Sequence, residues 1–177
     1  MQFDVIYRIL FDEVVPGVEK WCVRPRLRGS FSTERAVRAL IGQYRHNIDA
    51  KGRLFIPAKF REELGEVFYV TLGLDGCLAV YSDAKWAELT EKFDALPIAQ
   101  ARRMRTLFAN AAACEPDGQG RILIPTKLRE YAMLEKEVVI NGVSKCVELW
   151  NPERWAPIEE SGLDPDSLAD AMKELGF

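Results

Sequence analysis

Asp49-Ala-Lys-Gly-Arg-Leu-Phe-Ile-Pro-Ala-Lys-Phe-Arg-Glu62 decides the architecture of this chain, because it returns as Asp117-Gly-Gln-Gly-Arg-Ile-Leu-Ile-Pro-Thr-Lys-Leu-Arg-Glu130. Eight of the fourteen positions are identical at a constant offset of 68. Ordinary residue usage gives roughly one such identity by chance. The correspondence continues at an offset of 69 through Cys77/Cys146, Tyr81/Trp150 and Trp86/Trp155. This is an internal duplication, with copies over 43–86 and 111–155, a linker over 87–110 and a tail over 156–177.

Each copy reads as strand, tight turn, strand and short helix. In the first, Tyr44–Ile48 and Leu54–Ile56 flank Asp49-Ala-Lys-Gly. An aspartate opening a turn bonds its own backbone, and Gly52 supplies a positive φ, so the pattern predicts a hairpin. Pro57 suits the start of a helix over 58–64, which Gly65 ends. Val67–Leu72 and Leu78–Tyr81 predict a second hairpin around Leu74-Asp75-Gly76. The second copy repeats the series with Gly120, strand 122–124, a helix from Thr126, and strands 137–141 and 146–150. A unit of about forty residues is too small to bury a core alone, so the two copies should complete one another in an α+β fold. In the linker, Ser82 or Asp83 caps a helix bearing Trp86, Leu89 and Phe93, and Pro97 interrupts it. A second linker helix carries Met104, Leu107 and Phe108, with Arg102, Arg103 and Arg105 along it. In the tail, Asp164 or Asp166 caps a helix with Leu168, Met172 and Leu175 on one face.

Composition narrows the function. With 177 residues, 48% hydrophobic and 29% charged, the chain suits one ordinary domain or two very small ones. No apolar run approaches the roughly 18–20 residues of a membrane helix. Asp4, Asp12 and Glu13 break up the basic-then-apolar order of a signal peptide. Four cysteines without a CxxC pair and a single histidine, His46, argue against a disulfide framework, a zinc knuckle or another metal site. The expectation is a cytoplasmic protein with reduced thiols, no cofactor and no small-molecule substrate. The net charge of −3 is uneven: residues 151–177 hold two basic against seven acidic side chains, whereas 41–150 hold fifteen of each. A neutral body still binds an anion wherever its basic groups converge.

The turns offer such a place. Arg53 and Arg121 each follow a turn glycine, from which a guanidinium can make bidentate bonds to guanine edges or phosphate. The competing possibility is an internal Asp49–Arg53 or Asp117–Arg121 pair that only ties the turn. Lys51 suits a phosphate contact, and Gln119 stands at its place in the second turn. The first copy is the more basic, with Arg45, His46, Lys51 and Arg53 close together in sequence. Lys59/Lys127 and Arg61/Arg129 recur on the short helices and read as an exposed, solvated face. Trp86, Trp150 and Trp155 read as core or interface anchors rather than a base-stacking platform. An enzyme built on His46, Asp49 and a cysteine is disfavoured: Cys114 occupies the position of His46 in the second copy, and no nucleophile elbow or Walker loop is present.

The run Tyr44 to Arg53, the following Ile56-Pro57 and the second Asp117-Gly118-Gln119-Gly120-Arg121 closely resemble the MraZ family of bacteria, over roughly 42–177. The resemblance implies two SpoVT-AbrB-type repeats, each with an Asp-x-x-x-Arg motif, forming an AbrB-like swapped-hairpin β-barrel. It implies a nucleoid-associated transcriptional regulator at the promoter of a division and cell-wall gene cluster. Its partner would be double-stranded DNA carrying short direct repeats, and its subunits would assemble into a ring. Carried onto this chain, Arg53, Arg121, Lys51 and Arg45 contact DNA, while Asp49, Gly52, Asp117 and Gly120 orient the turns. Trp86, Leu89, Phe93, Met104, Leu107 and Phe108 are candidates for the subunit seam, or for a cap on the protomer's own core. Residues 1–41 have no counterpart and are expected to be a disordered extension or the product of a start placed upstream of one near Val37 or Leu40. An additional DNA-binding arm is the rival account, and deletion up to Leu40 is expected to be tolerated.

Overall fold

The computed structural model describes residues 39–176; the expectations for 1–38 lie outside them. Eight strands are present there: β1 (Leu40–Asn47), β2 (Arg53–Phe55), β3 (Phe68–Leu72), β4 (Leu78–Ser82), β5 (Ala112–Cys114), β6 (Arg121–Leu123), β7 (Glu137–Ser144) and β8 (Val147–Trp150). They form a six-stranded sheet in the order β1-β7-β8-β4-β3-β5 and a two-stranded ribbon of β2 and β6. All the ladders are antiparallel.

The duplication is woven rather than placed side by side. Within each copy only β3–β4 and β7–β8 pair as hairpins. The other four ladders, β1–β7, β2–β6, β3–β5 and β4–β8, join one copy to the other. Register shows why the two copies fit. Arg53 opposes Leu123 and Phe55 opposes Arg121, so the repeat offset exchanges these pairs about Leu54–Ile122. Leu78–Leu149 and Val80–Val147 exchange in the same way about Ala79–Glu148. Both ladders therefore lie on one pseudo-twofold relation.

The hairpin expected between 44–48 and 54–56 is replaced by this exchange. The turn closes, and one bridge forms at Ile48–Leu54. Beyond it β1 takes eight partners in β7, and β2 takes three in β6. A three-residue strand cannot satisfy the backbone of an eight-residue one, whereas the exchange pairs both. It also brings Leu54, Ile56 and Phe60 into one buried cluster with Ile122, Ile124 and Leu128. The mutual completion expected of the copies is visible in that shared core. Among the described residues the ladders form an open sheet and a separate ribbon and do not close into a barrel. Strand β1 also reaches back over Leu40 and Ile41, which the sequence assigned to the extension. Leu40 is buried, so deletion through it removes a core side chain.

The helices follow their punctuation. Helix α1 (Ala58–Leu64) starts after Pro57 and stops at Gly65, whose φ is 91°. Ser82 caps α2 (Asp83–Asp94) by accepting from the Lys85 amide, and α3 (Ile98–Ala109) follows Pro97. Helix α4 (Thr126–Tyr131) repeats α1. An unexpected helix, α5 (Pro152–Gly162), is capped by Asn151, which accepts from the amides of Glu153 and Arg154. Asp164 caps α6 (Pro165–Glu174).

The linker side chains turn inward. Trp86 stacks on Tyr69 with centroids 5.0 Å apart, and Phe108 lies 5.2 Å from Trp86 and 4.3 Å from Phe93. Thr71 Oγ1 donates to the Leu107 carbonyl at 2.6 Å, pinning α3 to β3. These contacts cap the protomer's own sheet. Trp150 is buried with Val139 and Cys77, and Trp155 packs against that group. Among the described residues no helix is long and apolar enough to cross a membrane.

Candidate nucleic-acid interface

The two Asp-x-x-x-Arg turns are built alike. Asp49 N–H donates to the Arg53 carbonyl at 2.9 Å, and Gly52 N–H to the Asp49 carbonyl at 2.9 Å. The Asp117 turn repeats these at 2.8 and 2.7 Å. Asp49 Oδ1 accepts from the amides of Lys51 and Arg53, both at 2.9 Å. Asp117 Oδ1 accepts from Gln119 at 2.9 Å and Arg121 at 3.0 Å. Glycine is required because φ is 80° at Gly52 and 77° at Gly120, a region that costs other residues about 1–2 kcal/mol.

The second carboxylate oxygen holds the arginine. Arg53 Nε and Nη2 both reach Asp49 Oδ2 at 2.8 Å. Arg121 Nε and Nη2 reach Asp117 Oδ2 at 2.9 and 2.7 Å. The internal ion pair is therefore real in both copies. The strand exchange also makes the pairs neighbours: Arg53 Nη1 lies 3.8 Å from Asp117 Oδ2, and Arg121 Nη1 lies 3.9 Å from Asp49 Oδ2. These four side chains are about a third exposed (26–35%), on one surface.

The bonding holds both carboxyls at about 2, well below the usual range. At Asp49 the largest cause is the Arg53 amide, and at Asp117 it is the Arg121 side chain. Both aspartates are anionic at neutral pH and hold their arginines in fixed orientations.

Arg61 and Arg129 join this surface, which the sequence did not indicate. Each donates Nε to a carbonyl just ahead of its own helix: Arg61 to Ile56 at 3.0 Å, Arg129 to Ile124 at 3.1 Å. Each guanidinium then lies against the turn glycine of the other copy, Arg61 at Gly120 and Arg129 at Gly52. The solvated face expected of them is limited to Lys59 and Lys127, which are exposed. The one available signal was the repeat itself, which kept arginine at both places. Lys51 is exposed on its turn. Arg45 is not gathered into this cluster; it lies on β1 and pairs with Glu137 across the β1–β7 ladder at 3.2 Å.

The residues of the disfavoured enzyme are committed elsewhere. His46 lies 4.9 Å from the Phe55 ring, and Asp49 is engaged by its turn. Cys77, Cys114 and Cys146 are buried and unbridged. Burial pushes the Cys114 thiol up to about 11 and the Cys146 thiol up to about 12, which makes them poor nucleophiles.

Fold and site together define a duplicated, strand-exchanging α+β protein that carries paired Asp-x-x-x-Arg turns on one surface. The family model described as "MraZ protein, putative antitoxin-like" matches residues 39–106 and again 107–174. The chain belongs to the MraZ family. It is 51% identical over 142 residues to the Transcriptional regulator MraZ of Caldicellulosiruptor saccharolyticus, covering 78% of this chain and 99% of that protein. It is 48% identical over 141 residues to the Transcriptional regulator MraZ of Alkaliphilus metalliredigens, covering 77% and 99%. With the same-named protein of Carboxydothermus hydrogenoformans the identity is 57% over 118 residues, covering 65% and 82%.

Proposed function

We propose that this chain is a sequence-specific DNA-binding regulator of transcription that acts as a homo-oligomer. The observation that carries the reading is the convergence of both turns on one surface, where Arg53 and Arg121 stand beside Asp49 and Asp117, Arg61 and Arg129 lie against the turn glycines, and Lys51 is exposed on its turn. Basic groups gathered in this way attract a polyanion even though the whole chain is acidic. Each aspartate engages the Nε and Nη2 side of its arginine, and Nη1 stands 3.8–3.9 Å from the opposite aspartate, beyond hydrogen-bond length. The Nη1–Nη2 end of the fork retains N–H groups for a guanine edge or a phosphate. Tying the turn and reading DNA are thus compatible roles for one pair. Lys51 adds a phosphate contact, and Arg45 reaches phosphate by exchanging its exposed partner Glu137.

The finer parts of the proposal follow from the family. The strand exchange is related to an AbrB-like swapped-hairpin arrangement, open in this protomer, with repeats over 43–86 and 111–155. The target is a run of short direct repeats at the promoter of a division and cell-wall gene cluster, bound at the nucleoid by a ring of subunits. One protomer offers two turns, so tight binding draws on several protomers acting together. Repeats spaced by about 10–10.5 base pairs present the same groove face to successive protomers.

The test is binding of the full chain to probes with one, two and three repeats, beside light scattering. Affinity should climb steeply with repeat number. An Arg53→Ala, Arg121→Ala double variant should lose about 1–3 kcal/mol per base contact. A folded double variant that binds and discriminates like the parent would defeat the reading.

A further inference from the structure

Each recognition turn is held by the copy to which it does not belong. Ile56 N–H donates to the Gly120 carbonyl at 3.0 Å, and the Ile56 carbonyl accepts from Arg61 Nε. Arg61 then covers the bare Cα of Gly120 so closely that a Cβ there would lie 2.7 Å from its Cζ. Ile124, Arg129 and Gly52 repeat the arrangement in the opposite direction: a 3.0 Å bond from the Ile124 amide to the Gly52 carbonyl, and 3.1 Å from a Gly52 Cβ to Arg129 Cζ. Gly52 lies between Lys51 and Arg53, and Gly120 between Gln119 and Arg121. The brace therefore ends beside the side chains assigned to DNA.

Resting on the DNA-binding reading above, we propose that Arg61 and Arg129 are positioning residues that act crosswise, Arg61 fixing the Asp117–Arg121 turn and Arg129 fixing the Asp49–Arg53 turn. Both guanidiniums are partly buried, as a brace requires and a solvated surface charge does not. They are also anchored differently. Arg129 Nη2 has a further bond to Thr126 Oγ1 at 3.1 Å, where the first copy has Ala58. Arg61 instead lies over the Phe55 ring at 5.8 Å. Phe55 opposes Arg121 in the ribbon, so this contact also leads to the second turn. The two turns then behave as one reading head: loosening either brace weakens recognition by the partner copy's turn.

The crossing gives the proposal a specific test. In native-state hydrogen exchange of the full chain, Arg61→Ala should speed exchange at Gln119–Arg121 and leave Lys51–Arg53 unchanged, with Arg129→Ala doing the reverse. In DNA binding, Arg129→Ala should weaken affinity about fivefold, within the coupling range of neighbouring residues. Added to Arg53→Ala it should cost little more, whereas added to Arg121→Ala its effect should multiply. Arg61→Lys and Arg129→Lys keep the charge without the planar fork, and they should still show fast exchange at the opposite turn. Should an alanine variant misfold, the lysine pair carries the same exchange test. Protection of each arginine's own turn, protection of neither, or full restoration by lysine would each overturn the proposal. If the parent chain fails to bind DNA, the functional reading falls, while the exchange pattern still decides the brace.

Discussion

The Asp49–Arg53 and Asp117–Arg121 turns make the same bonds and present different charges. Each closes through the same backbone pair, the same two amides on Oδ1 and the same arginine on Oδ2. The first carries Lys51 where the second has Gln119, and the strand before it carries Arg45 and His46 where the second copy has Ala113 and Cys114. The duplication has therefore kept the residues that shape the turn and changed Lys51/Gln119 and Arg45/Ala113, which are exposed, while the counterpart of His46, Cys114, is buried. Shape is shared because each turn forms half of one interlocked unit, while Lys51 and Gln119 take no part in closing it beyond their backbone amides.

The largest expected effect bears on the shared shape. Alanine at either turn glycine meets the left-handed penalty of about 1–2 kcal/mol. At Gly120 the new Cβ must also displace Arg61, whose Cζ would be only 2.7 Å away, whereas at Gly52 the Arg129 Cζ is at 3.1 Å. Gly120→Ala should therefore cost about 2 kcal/mol and Gly52→Ala nearer 1 in denaturant unfolding. Equal losses would show that Arg61 moves aside freely and that the closer approach carries no weight.

A smaller effect should separate charge from shape. Lys51→Gln gives the first turn the second's chemistry, and Gln119→Lys does the opposite. Neither touches the bonds that close the turn, because both positions bond the aspartate through backbone amides. Stability should stay put. The slope of log affinity against log salt should fall by about one for Lys51→Gln and rise by about one for Gln119→Lys, equally for all DNA sequences. A sequence-dependent loss in Lys51→Gln would mean that Lys51 reads bases.

These contrasts also mark what was legible in the sequence. Helix 58–64 was, because Pro57 and Gly65 punctuate it locally, and the β3–β4 hairpin was, because Asp75 and Gly76 adopt positive φ between two apolar strands. The closed turns were readable from Asp49 and Gly52 for the same reason. Partner choice beyond Ile48–Leu54 was not: the eight-residue match of β1 with β7 joins strands about ninety residues apart in sequence, and no local pattern states it. Helix α5 was overlooked although Asn151-Pro152 is a good start signal. The position of Arg61 and Arg129 depends wholly on the strand exchange, so no local pattern could reveal it.

The smallest expected effect is electrostatic. Asp49 and Asp117 both fall from 3.8 to about 2, by somewhat different routes: the Arg53 amide leads at Asp49 and the Arg121 side chain leads at Asp117. A carboxyl whose pKa is lowered on folding binds its proton more readily in the unfolded chain. Its contribution to stability is therefore complete above about pH 4 and is lost as pH falls toward 2. Asparagine keeps an oxygen for the two turn amides and removes the charge, so Asp49→Asn and Asp117→Asn should each flatten the melting-temperature profile between pH 4 and 2. The loss at neutral pH should be slight, since these pairs are about a third exposed and solvent screens them. The double variant should be flatter than either single one. Melting curves at constant ionic strength across pH 2–7 provide the measurement. Because the two arginines make the same bonds to their aspartates, Arg53→Ala and Arg121→Ala should erase like shares of their turns' pH dependence. A clearly unequal loss would show that the electrostatics of the two turns do not follow their hydrogen bonding.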